Sequence, residues 1–143
     1  MTAGSHDQVH DYLRIRLSYE IDVLDVANGL ARHAFTVVDT RKLQSWEHGH
    51  VPGAVHVPDI VTRGDLTDRL PLERSVVVYG WGPGCDGGTR AAAVLADLGY
   101  DVREMVGGFE YWCRTGLAFD TLDGTRRLSP DPLVTAERSG QLG

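Results

Sequence analysis

Cysteine is scarce in this chain, with two among 143 residues, Cys85 and Cys113. Two cysteines cannot build the disulfide framework of a small secreted domain. Basic clusters are missing as well. The 14 Lys and Arg residues are scattered, no basic run exceeds a pair such as Arg126-Arg127, and the formal net charge is −6. Phosphates must be met by clustered cations, so neither nucleic acid nor an anionic membrane is an expected partner. No apolar run approaches the ~18 residues of a membrane span. The stretch Met1 to Asp11 is polar and lacks the apolar core of a signal peptide, which makes the cytoplasm the expected location. Metal-ligand spacing is thin: His48 and His50 form an H-x-H, but a four-coordinate zinc site would need further ligands from scattered positions. No metal and no other cofactor is expected.

What is present suits a globular α/β unit. Apolar residues make up 42% and charged residues 24%, enough to bury one core beneath a solvated surface. No internal repeat or low-complexity run appears. Residues 1–6 read as a disordered lead, 7–120 as a single domain with its core in about 20–120, and 121–143 as a partly irregular extension, rich in Ser, Pro and Gly from about Leu128 onward.

Val9, Tyr12, Leu13, Arg16 and Leu17 lie at helical spacing, which predicts an amphipathic helix over His6 to Ser18. A second helix is expected over Asp22 to Arg32, with Gly29 as its weak point. Phe35 to Asp39, Ala54 to Val57, Val76 to Tyr79 and Val102 to Val106 read as short buried strands. Helices are expected over Lys42 to Glu47, Asp65 to Leu70, Thr89 to Leu98 with Gly99 as its left-handed cap, and Phe109 to Thr115. Strands alternating with helices predict a mainly parallel sheet covered on both faces. Sites in such sheets lie at the carboxyl ends of the strands. Three segments meet that rule here: Asp39-Thr40-Arg41, the loop Gly80 to Gly88, and Gly107-Gly108.

The loop is the richest of these. Gly80-Trp81-Gly82-Pro83-Gly84-Cys85-Asp86-Gly87-Gly88-Thr89-Arg90 holds five glycines in eleven residues. Such density is expected where a backbone curls its N–H groups inward to cradle an anion. The following helix adds unpaired amides and the positive end of its dipole. A cysteine there is expected to react as a thiolate, opposed by Asp86 and helped by Arg90. The inert alternative is that Cys85 fills space in a tight turn. Phosphatase chemistry fits poorly, because the cysteine phosphatases share a Cys-x5-Arg loop and Arg90 comes one position early.

Taken together, these motifs resemble those of the rhodanese-like family. Val37-Val38-Asp39-Thr40-Arg41 is similar to the family's strand ending in Asp-x-Arg. Gly49-His50-Val51-Pro52-Gly53-Ala54 is similar to its Gly-His-Ile-Pro-Gly-Ala. Gly107-Gly108-Phe109-Glu110-Tyr111-Trp112, followed by Gly116, is similar to its closing Gly-Gly-x-x-x-Trp. The resemblance implies a rhodanese-like α/β fold, a mainly parallel sheet flanked by helices on both faces. It also implies sulfurtransfer through a cysteine persulfide, with a small anionic sulfur donor, a thiol acceptor and a possible protein partner. His50 is implied to be structural, Asp39 and Arg41 to form a supporting network, and Trp112 to be core. The family's nucleophile usually follows the strand directly, where this chain has Gly80. Cys85-Asp86-Gly87-Gly88-Thr89-Arg90 reads as the familiar Cys-x-x-Gly-x-Arg. Two functions therefore stand: a sulfurtransferase carrying sulfur on Cys85, with Gly84, Asp86, Gly87, Gly88, Thr89 and Arg90 as its anion-binding loop, or a catalytically inactive module that binds a protein or small anion. Cys113 is expected to be a packing residue of the last helix. The oligomeric state is left open.

Overall fold

A computed structural model describes residues 5–60 and 65–135. The ends of the expected lead and tail, residues 1–4 and 136–143, lie outside the described residues.

Ser5 opens helix α1 (His6–Tyr19) with a capping box: the Gln8 N–H donates to Ser5 Oγ, and the Ser5 N–H donates to Gln8 Oε1. The helix forms as its spacing predicts, but none of its residues is buried, and Val9, Tyr12, Leu13, Ile15 and Leu17 are all exposed. Its anchor is its last turn, where the half-buried Tyr19 hydroxyl donates to Glu104 Oε1 at 3.0 Å. The chain then enters β1 (Glu20–Ile21) and helix α2 (Val23–Ala31), whose cap Asp22 accepts from the Leu24 N–H. Gly29 has a packing reason. A Cβ there would fall 2.1 Å from the Phe35 ring, so only glycine lets that ring lie against the helix.

β2 (Thr36–Asp39), α3 (Leu43–His48), β3 (Val55–His56), β4 (Val76–Tyr79), α4 (Gly87–Asp97), β5 (Val102–Met105) and α5 (Gly108–Arg114) follow in order. Five strands form a fully parallel sheet in the order β1-β5-β4-β2-β3. β4 sits at its centre, with Val76 to Tyr79 beside Thr36 to Asp39 on one side and Val76 to Val78 beside Val102 to Glu104 on the other. Successive side chains of a strand point to opposite faces. Val77 and Tyr79 accordingly join a core with Val23, Val26, Val37, Phe109 and Trp112, whereas Val76 and Val78 join another with Val38, Leu66, Leu70, Ala92 and Leu95. Burial on both faces is why these strands read as unbroken apolar runs.

Two expectations are corrected. Asp65 to Leu70 forms a single turn instead of a helix, with the Arg69 and Leu70 N–H groups both donating to the Leu66 carbonyl. Pro71 stops it, because proline disfavours helical geometry in the residue before it. Between residues 116 and 127, where no element was expected, a hairpin forms. β6 (Phe119–Thr121) and β7 (Gly124–Arg126) form an antiparallel hairpin turning at Leu122-Asp123, and Asp120 also pairs with His50. Gly124, at φ +118°, supplies the backbone that this tight turn requires.

Candidate active site

β4 ends at Tyr79, so the loop after it emerges at the carboxyl edge of the sheet. The Cys85 N–H donates to the Gly82 carbonyl at 3.1 Å, which folds Gly82 to Cys85 into a tight turn. Cys85 is exposed, and the Gly87 N–H lies 3.4 Å from its Sγ. α4 begins at Gly87, two residues earlier than its alanine-rich pattern predicts, and Asp86 gives it no side-chain cap. Its first amides are thus left for the loop.

Gly80 occupies the position directly after the strand. A Cβ on Gly80 would start 3.7 Å from Cys85 Sγ and 3.2 Å from the Gly88 nitrogen. A side chain at residue 80 and the side chain of Cys85 therefore reach the same place. Gly80→Cys is expected to form a disulfide with Cys85, since a residue-80 Cβ would lie 3.7 Å from Cys85 Sγ and a disulfide requires the two side chains to meet. Intact mass under mild oxidant should show the loss of two hydrogens in Gly80→Cys and none when Cys85 is also replaced by Ser. Two free thiols after oxidation would mean that the Cys85 side chain points elsewhere.

The loop rests on the turn before α5. Gly107 and Gly108 both have positive φ, +85° and +65°. The Phe109 N–H donates to the Gly80 carbonyl at 2.9 Å, and the Glu110 N–H donates to the Trp81 carbonyl at 2.8 Å. A Cβ on Gly108 would come within 2.7 Å of the Gly82 nitrogen, so a side chain there would lift the loop.

Beneath the loop lies a buried ionic network. Asp39 is fully buried and accepts from Arg41 Nη2 at 2.8 Å, from Arg41 Nε, and from the Arg41 N–H. Arg41 Nη2 also donates to the Gly49 carbonyl, and Nη1 is buried with no hydrogen-bond partner among the described residues. The guanidinium is held instead by aromatic faces, 4.3 Å from the Phe109 centroid and 4.8 Å from that of Trp81 in the loop. The Tyr79 hydroxyl donates to Asp39 Oδ2 at 2.6 Å and accepts from the Val51 N–H. Burial, reinforced by the Asp39 charge, pushes the Tyr79 phenol well above its usual range, so it stays a donor. His50 stacks on Trp46 at 3.5 Å and bonds the Trp46 carbonyl, a structural role. Trp112 is core, donating to the Ala118 carbonyl.

Asp86 and Arg90 neutralise each other: Arg90 Nε donates to Asp86 Oδ2 at 3.0 Å on an exposed surface. Gly84 faces open space. Of the loop residues singled out in the sequence, the structure brings Cys85 and Thr89 to a cavity of about 160 Å³ and sets the Gly87 N–H beside Sγ; Arg90 is turned to Asp86. The cavity wall adds Glu20, Glu104 and Met105, which sequence reasoning missed. Glu104 accepts from the Thr89 hydroxyl at 2.9 Å as well as from Tyr19. Its position near the carboxyl end of β5, just before Gly107-Gly108, was the available signal. A larger cleft of about 570 Å³ between α5 and residues 128–132 exposes ion pairs of Arg114 with Glu110 and Asp131, and lies off the loop.

A parallel sheet whose central strand feeds a glycine-rich loop and helix N-terminus, steadied by Asp39 and Arg41, defines a class that the comparisons make explicit. The sequence model of the rhodanese-like domain matches residues 22–115, and the chain belongs to that family. It is 36% identical over 93 residues to the thiosulfate sulfurtransferase GlpE of Pseudomonas fluorescens, covering 62% of this chain and 80% of that protein. It is 32% identical over 85 residues to the HTH-type transcriptional regulator Rv0324 of Mycobacterium tuberculosis, covering 59% of this chain but only 37% of that protein. The crystal structure of BH2092 from Bacillus halodurans superposes with a TM-score of 0.74 at 33% identity, over 84% of this chain and 89% of that one. Among the described residues, no helix is long and apolar enough to cross a membrane.

Proposed function

We propose that the protein is a sulfurtransferase that carries sulfur as a persulfide on Cys85. The observation that carries this reading is the convergence of Cys85 Sγ on the space a residue-80 side chain would enter, beside the Gly88 nitrogen and the Gly87 N–H. In the first step the Cys85 thiolate attacks the outer sulfur of a donor, thiosulfate or a persulfide. The donor's S–S bond breaks, and sulfite or a thiolate leaves with the electron pair. In the second step an acceptor thiolate attacks the outer sulfur on Cys85, the S–S bond to Sγ breaks, and Cys85 returns as thiolate. Arg41 serves this chemistry at a distance, as the cation on which Trp81 and the loop rest. The similarity to GlpE proteins supports the same reaction class.

The second reading, a silent binding module, is favoured by one feature: residue 80 is glycine. The two are separated by incubating the protein with thiosulfate, and separately with a small persulfide, and recording intact mass without reductant. A gain of one sulfur atom, removed by cyanide as thiocyanate, is the expected result. A folded protein that gains no sulfur from either donor would leave the binding module as the function.

A further inference from the structure

Four carboxylates surround the loop, and three of them bring their own cation. Glu20 is paired with Arg16 at 2.6 Å, Asp86 with Arg90 at 3.0 Å, and Glu110 with Arg114 at 3.1 Å, each four residues along the chain. Glu104 differs. Its oxygens accept only from the hydroxyls of Tyr19 and Thr89, and no cation pairs with it among the described residues. It also stands on the cavity wall beside Cys85, with Oε2 3.1 Å from where a Gly88 Cβ would be. No Lys or Arg lines that cavity. Among the described residues, the one uncompensated charge on the cavity that Cys85 lines is therefore negative. Hydroxyl donors fix the Glu104 carboxylate in place without cancelling its charge, which suits it to receive a cation.

We propose that Glu104 is a specificity-determining residue that selects sulfur carriers bearing a protonated amine, so that donor and acceptor are small aminothiols and their persulfides. This deepens the sulfurtransferase reading by naming its substrate class. An aminothiol thiolate would attack the outer sulfur of the Cys85 persulfide while its ammonium rests on Glu104. The S–S bond to Sγ breaks, Cys85 leaves as thiolate, and the aminothiol departs as its persulfide with no net oxidation. A dianion such as thiosulfate meets like charge at the same wall, and the small cavity admits only a compact carrier.

The charge preference is measurable without sulfur transfer. The Cys113→Ser protein is labelled at Cys85 with two methanethiosulfonates of similar size, one aminoethyl and one sulfonatoethyl, and each rate is divided by that of free 2-mercaptoethanol. Cys85 thiolate takes the organic thio group and methanesulfinate leaves. The normalised rate ratio is expected to favour the cationic reagent by roughly fivefold or more. Glu104→Gln, which keeps both hydroxyl contacts, should bring the ratio close to one, and so should high salt in the parent protein. A ratio at or below one in the parent, or an unchanged ratio in a folded Glu104→Gln protein, overturns the proposal. If Glu104→Gln does not fold, a ratio indifferent to salt overturns it instead. Failure to load sulfur together with an intact charge preference would refute the transferase and leave Glu104 as an ammonium-recognising group.

Discussion

Cys85→Ser is expected to abolish sulfur loading, while Cys113→Ser loads as the parent does. The asymmetry follows from where the two thiols lie. Cys85 is exposed, at a helix N-terminus, with the Gly87 N–H directed at its sulfur. A serine keeps the size and the hydrogen bond but supplies no ionised nucleophile near neutral pH. Cys113 is buried beside Phe109 and Trp112. Burial pushes its thiol up to about 11, with the Arg41 charge opposing only in part, so at neutral pH it is a protonated, shielded group. Cyanide-labile sulfur measured by intact mass on the two variants decides the matter. Sulfur retained on Cys85→Ser and lost on Cys113→Ser would move the carrier to α5 and overturn the site.

The largest effect on stability is expected at Asp39. In Asp39→Ala the buried Arg41 loses its carboxylate, the Tyr79 hydroxyl loses its acceptor, and the Arg41 N–H loses its turn contact. Leaving one charge of a buried pair unmatched costs about 3–5 kcal/mol. For a chain of this size that lowers Tm by roughly 10 °C or more. Asp39→Asn retains an acceptor and should fall between. The same variant reaches the loop, because the Arg41 guanidinium is what Trp81 lies against. Sulfur loading by Asp39→Ala is thus expected to fall even well below its melting temperature. A Tm loss of only a degree or two in thermal denaturation would show that the pair is solvated after all.

Much of the fold could be read from the residues because its central strands, β2 and β4, are buried on both faces. Val76 to Tyr79 is an unbroken apolar run located to the residue, Val102 to Met105 was placed within a residue although Arg103 and Glu104 interrupt its apolar pattern, and Gly99, at φ +97°, ends α4 where expected. The place of Asp39 and Arg41 at the end of β2 followed from the strand-end rule, whereas their pairing was legible only through resemblance to a known motif. Periodicity misled at α1. Its apolar spacing is real, yet the short edge strand β1 offers no sheet for that face to cover, and Val9, Tyr12 and Leu13 stay exposed. The β6–β7 hairpin was missed although Asp123-Gly124 is a strong turn signal, because the surrounding composition reads as tail. Glu104 was invisible for a different reason. A glutamate in a strand pattern looks like a solvated position, and only the sheet order places it opposite Thr89. Likewise, chain position set Cys85 apart from residue 80, and only the curl of the loop brings the two together.

That curl is written in main-chain bonds: Cys85 to Gly82, Phe109 to Gly80, and Glu110 to Trp81. Bonds of this kind are made by the main chain, so a residue such as Cys85 can change type while its N–H still donates to Gly82. A sequence can therefore drift through the loop, and a reactive group can be surrendered at one position and recovered at another, without the frame being rebuilt. In such a lineage the heritable quantity is a point in space, and the residue number that serves it is free to change.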